Sequence, residues 1–154
     1  MCLKTIGKMF TGTVDVPSPT DIVSQSEIKY DETTGKLEVD LTKLNIVGLK
    51  STPKVWLTTV QDTNSMDPVL DYKHTCLLIA GADDEDHGKL VGAITEGNVV
   101  VAQGEGFNII HRVKQIKQDS QGRLWVLKGD NNWKADSFEV RDEHVKWLLV
   151  GTIY

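Results

Sequence analysis

FNIIHRVKQIKQDSQGRLWVLK, residues 107–128, is the stretch whose reading decides the fold class. Its first run, Phe107–Ile116, and its last, Arg123–Lys128, are rich in β-branched and large apolar residues, and Ser120-Gln121-Gly122 lies between them as a turn signal. On a strand, positions 107, 109, 111 and 113 share one face, so His111 emerges among Phe107, Ile109 and Val113. Similar runs recur on either side: Lys54–Val60, Thr75–Ala80, Asn98–Ala102 and Val145–Ile153. Gly104 and Gly106 separate two of the runs. Further upstream, Glu27–Asp31 and Lys36–Leu41 alternate polar and apolar residues around Thr33-Thr34-Gly35, the pattern of a hairpin. Only a short stretch after Pro68 and the region Ala135–His144 have helical character. The expected fold is mainly β: a coiled or barrel-like antiparallel sheet over residues 51–154, with residues 1–50 as an N-terminal β extension or small attachment module.

The chain has 154 residues, enough for one domain with a real core. Its composition, 40% hydrophobic and 25% charged, is that of a globular protein. Net charge is −5, which argues against a surface built for nucleic acid, so no such partner is expected. Cys2 and Cys76 do not make a disulfide framework; Cys76 sits in an apolar run and reads as a buried thiol. No stretch reaches the ~20 apolar residues of a membrane span. The start, MCLKTIGKMF, is too polar and short for a signal-peptide core and reads as a first strand or frayed terminus. A cytoplasmic or otherwise soluble protein is the expectation.

Three segments carry candidate chemistry. Thr63-Asn64-Ser65-Met66-Asp67-Pro68 places a hydroxyl in a turn, because Pro68 biases Asp67 away from helical geometry. Asn108-Ile109-Ile110-His111-Arg112-Val113 supplies an imidazole whose apolar neighbours favour its neutral form. Lys128-Gly129-Asp130-Asn131-Asn132, with Asp136 beyond it, supplies carboxylates. A serine hydroxyl needs a base to remove its proton, and the base needs a third group to hold its tautomer. Such a trio on three segments is common in proteins of this size and is weak evidence alone.

Ser65-Met66-Asp67-Pro68 resembles the Ser-Met-x-Pro box around the nucleophile of signal peptidase I and LexA-like proteins. Ile110-His111-Arg112-Val113 is similar to the base-carrying box of the archaeal and endoplasmic-reticulum branch, in which histidine replaces lysine. Lys128–Asn132 with Asp136 resembles that branch's third box. The resemblance spans roughly residues 54–154 and implies Ser65 as nucleophile, His111 as general base and Asp136 as third catalytic residue, with Asp130 the runner-up. It also implies that Thr63, two positions before the nucleophile, supports the oxyanion together with the Ser65 N–H. Three features depart from the family: Lys73-His74 and Gly97-Asn98 stand where it has Gly-Asp, and its membrane anchor is missing from these residues.

Other clusters read as structural. In Asp83-Asp84-Glu85-Asp86-His87-Gly88, a calcium loop starting at Asp83 would place Ile94 at its twelfth position, so a solvated acidic loop is expected and no metal. Gly104-Glu105-Gly106 is too sparse for a phosphate cradle, and no cofactor is implied. His74, His87 and His144 read as structural. Trp56, Trp125 and Trp147 fall in β-type runs and are expected in the core, whereas Trp133 could wall the active-site groove. The functional expectation is a serine endopeptidase acting on an extended peptide or protein substrate, with small side chains near the scissile bond by similarity to signal peptidases. The alternatives are a LexA-like regulator that cleaves itself or forms a homodimer, and an inactive binding or structural protein on the same fold. Against the regulator, residues 1–50 show no helix-turn-helix pattern.

Overall fold

The computed structural model of the chain describes residues 23–24, 27–40, 45–46, 48–104 and 106–154. Expectations for residues 1–10, Cys2, Leu41 and Glu105 lie outside the described residues. In chain order the elements are β1 (Val23–Ser24), β2 (Glu27–Asp31), β3 (Lys36–Asp40), β4 (Asn45–Ile46), β5 (Lys54–Thr59), β6 (Thr75–Ala80), α1 (Asp84–Ala93), β7 (Val99–Gln103), β8 (Asn108–Asp119), β9 (Gly122–Lys128) and β10 (Val145–Ile153).

Six of the strands form one antiparallel sheet in the order β5-β6-β10-β7-β8-β9. The mainly β expectation therefore holds, and the sheet is open, with β5 and β9 as its edges. Apolar side chains lie on both faces. Ile79, Val100, Ala102, Val113, Trp125 and Leu148 belong to one buried cluster, and Cys76, Leu78, Val99, Val101 and Leu149 to another. Successive residues of β7 alternate between the two clusters, which is why Val99–Ala102 is continuously apolar instead of alternating. Each fully buried Leu or Ile contributes about 1.5–3 kcal/mol. Leu90 and Val91 of α1 cover the first face, and Val60, Met66 and Leu70 of the loop after β5 cover part of the second.

The acidic run is not a solvated loop: it opens α1. The Asp83 carboxylate accepts the Asp86 N–H at 2.8 Å as N-cap, and Asp84, Glu85 and Asp86 fill the first turn, where the helix dipole favours negative charge. Asp86 is fully buried and accepts the backbone N–H groups of Lys50 and Ser51, each at 3.0 Å. Those bonds hold its carboxyl below the usual range, the Lys50 N–H being the largest cause. Since Leu49 also packs against the first cluster, the body of the fold begins before residue 51. The helical character expected after Pro68 resolves into turns, and that of Ala135–His144 into a single 3-10 turn, Asp142–His144.

The upstream hairpin forms in the register Ile28↔Val39 and Tyr30↔Leu37. Asp31 closes its turn by accepting the Thr33 and Thr34 N–H groups.

Candidate active site

Ser65 lies in the loop between β5 and β6. Asn64 takes a φ of 56°, a left-handed conformation that asparagine tolerates, and the chain reverses there. Met66, only 1% exposed, anchors the turn in the second cluster while Ser65 stays partly accessible. A second turn docks on this one. Asn131 donates its backbone N–H to the Ser65 carbonyl at 3.0 Å and its side-chain amide to the Asn64 carbonyl at 2.9 Å. The Asp130 N–H points at the Met66 sulfur at 3.5 Å. Gly129 makes the approach feasible, since a Cβ there would stand 2.4 Å from the Ser65 carbonyl oxygen.

His111 is buried on β8, paired across the ladder with Val100. Its Nε2 lies 3.2 Å from Ser65 Oγ, and its Nδ1 lies 2.6 Å from Asp136 Oδ2. Asp136 is fixed in turn by its own N–H, which donates to the Leu127 carbonyl at 2.9 Å. The carboxylate accepts the Nδ1 proton, which leaves a lone pair on Nε2 facing the serine hydroxyl. Thr63 Oγ1 is 3.1 Å from Ser65 Oγ, and the Ser65 N–H has no acceptor among the described residues. Thr63 and Ser65 from one turn, His111 from β8 and Asp136 from the segment after β9 thus meet at one point.

Asp130 is not part of that chain. Its carboxylate takes a two-pronged grip from Arg112, Nε to Oδ1 at 2.7 Å and Nη2 to Oδ2 at 2.6 Å. The remaining arm of Arg112 donates to the Gly97 carbonyl at 2.6 Å. The hydrogen bonds to Asp130, with its charge, raise the pKa of the guanidinium against the opposing effect of burial. Arg112, which follows His111 directly, therefore ties the strand that carries His111 to the turn that docks on Ser65. The sequence reading missed this pairing, having taken Asp130 as runner-up for the third role or as a turn former; the signal was a basic residue directly after His111.

Where the resemblance places Gly-Asp, Gly97 has a φ of 94° and Asn98 is buried, its Oδ1 accepting the Thr95 N–H at 2.9 Å. Lys73 has a φ of 69°, a left-handed backbone that a lysine adopts at a cost of about 1–2 kcal/mol. The three other histidines are structural. His74 and His144 accept the backbone N–H groups of Asp71 and Arg141, and His87 bridges Val145 O and Gly81 N.

Beside Ser65 and His111 opens a cavity of about 590 Å³, lined among others by Trp56, Cys76, Leu78, Val101, Phe107 and Ile110. The Cys76 thiol is buried, as expected, and its pKa is pushed up by that burial. The tryptophans divide differently from expectation. Trp125 is in the core, but Trp56 is 43% exposed at the cavity, since it sits on an edge strand. Trp133 is fully exposed and does not line the cavity, because its turn is held through Asn131 and leaves the ring in solvent.

No protein-family model matches the chain, and neither curated proteins nor solved structures yield a match to it. No helix among the described residues is long and apolar enough to cross a membrane.

Proposed function

We propose that the chain is a serine endopeptidase of the signal peptidase I / LexA-like type, with Ser65 as nucleophile, His111 as general base and Asp136 as the group that orients it. The observation that carries this reading is the unbroken path Asp136 Oδ2–His111 Nδ1, His111 Nε2–Ser65 Oγ, at 2.6 and 3.2 Å. Supporting it, the three sequence boxes that resemble that family converge on one point.

In the reaction, Ser65 Oγ attacks the substrate carbonyl carbon as its proton passes to His111 Nε2. The carbonyl oxygen becomes an oxyanion facing the Ser65 N–H and the Thr63 hydroxyl. Collapse breaks the C–N bond, His111 returns the proton to the leaving amine, and an acyl-enzyme remains. Water, deprotonated by the same imidazole, then releases the acid and restores Ser65. Asp136 accepts the Nδ1 proton and orients the imidazole throughout.

The substrate is an extended peptide. β5 is a sheet edge, and the β9 ladder starts only at Arg112, so two strand edges, β5 and Asn108–His111, border the cavity. A peptide laid between them adds a strand with main-chain hydrogen bonds.

The test is a peptide-library digest read by mass spectrometry, comparing the wild type with Ser65→Ala and His111→Ala. Cleavages present only in the wild type support the reading, and identical digests overturn it.

A further inference from the structure

The second apolar cluster is roofed over only part of its area. Val60, Met66 and Leu70 cover one portion, while Cys76, Leu78 and Val101, with Ile110 packed against them, floor the cavity beside Ser65. Two large aromatic side chains stand on the cavity rim although solvent reaches them: Trp56 at 43% exposure and Phe107 at 56%. Neither is loose. Trp56 leans on Trp147 with ring centroids 5.5 Å apart, and Phe107 meets Phe138 edge-on at 6.2 Å. Gly104 lets Phe138 approach, since a Cβ there would lie 3.3 Å from that ring. A braced apolar rim around about 590 Å³ is a preformed recognition site, with its ordering cost met in advance.

We infer that Trp56 and Phe107 are specificity-determining residues that grip a bulky apolar side chain, leucine or phenylalanine, close to the scissile bond. This rests on the endopeptidase reading and departs from the small side chains that the family resemblance implies. An alanine methyl would leave both rings wet and the floor uncovered. A leucine or phenylalanine would bury them and complete the second cluster. Alternate side chains of an extended peptide point the same way, so one residue of each adjacent pair faces the two rings and its neighbour faces away.

The experiment uses acetylated octapeptides that differ at a single position, taken in turn from the three on either side of the cleaved bond and carrying Ala, Val, Leu or Phe. Cleavage is followed with the wild type, and binding by calorimetry with Ser65→Ala, which leaves the cavity intact. Leu and Phe peptides should exceed Ala peptides by about 10- to 200-fold in kcat/KM, the range available to an apolar pocket. Trp56→Ala and Phe107→Ala alter partly exposed residues and should fold, checked by thermal melts; each should erase most of that preference. Preference in binding to Ser65→Ala without any wild-type cleavage supports the pocket and overturns the endopeptidase. Cleavage in which Ala matches or exceeds Leu and Phe leaves the endopeptidase standing and overturns the pocket. No binding of any peptide overturns the pocket as well.

Discussion

Replacing Asp136 with asparagine isolates what the carboxylate contributes, because shape and burial barely change. The His111–Asp136 contact is 2.6 Å, and both side chains are about one-tenth exposed. Asparagine can turn its NH2 toward Nδ1, which forces the proton onto Nε2, where it faces Ser65 as a donor. The base can then no longer take the serine proton. Even in the correct tautomer, an amide dipole replaces a full charge beside the developing imidazolium. Loss of the correct tautomer in such a triad lowers kcat by about 10⁴-fold. That corresponds to roughly 5.4 kcal/mol of barrier at ~1.36 kcal/mol per decade. The fold should lose less, about 1.5–3 kcal/mol for one hydrogen bond to a charged group. The assay pairs kcat and KM on a peptide found in the library digest with a thermal melt. Asp130→Asn is the contrast: it should cost roughly 1.5–3 kcal/mol of stability by releasing Arg112, yet change kcat by less than about tenfold. A loss below tenfold in folded Asp136→Asn, or the full loss in Asp130→Asn instead, would refute the assignment.

Thr63→Val should lower kcat by about 10²–10³-fold with KM little changed, if the hydroxyl supports the oxyanion; an unchanged kcat removes it from the mechanism. Gly129→Ala would put a Cβ 2.4 Å from Ser65 O and 2.7 Å from Asn132 Nδ2. It should cost about 1–3 kcal/mol of stability and lower kcat at the same time, checked by melts and steady-state kinetics. Asp86 has its folded-state pKa depressed, chiefly by the Lys50 N–H. Its stabilisation is therefore present above the unfolded carboxyl pKa of ~3.9 and is lost as pH falls through the lower folded value. Urea midpoints should fall with acidification in the wild type and fall less steeply in Asp86→Asn; parallel profiles would rule out this linkage.

Much of the sheet was legible in sequence because its strands carry their own signal. Thr75–Ala80 and Val145–Ile153 have the same bounds read from sequence and seen in the structure, and the other strands of the sheet differ by one to three residues at their ends. Helix α1 was not legible. Gly88 and Gly92 lower its helix propensity, and its buried face is little more than Asp86, Leu90 and Val91. What holds it lies elsewhere in the chain: Lys50 and Ser51 on Asp86, and the Val145 carbonyl on His87. Sequence-based helix reading has no access to such partners.

The sequence by itself determined the chemistry available: a hydroxyl in a turn before a proline, an imidazole on a strand, and two candidate carboxylates six residues apart. Residue type and short-range pattern are written locally, so they survive without a fold. Only the tertiary structure decided which carboxylate meets the imidazole, which aromatics border the cavity, and that Arg112 occupies Asp130. Those outcomes depend on the β7–β8–β9 register and on the 129–132 turn docking against Ser65. Contacts between residues many tens of positions apart are set by packing, and no local pattern encodes them.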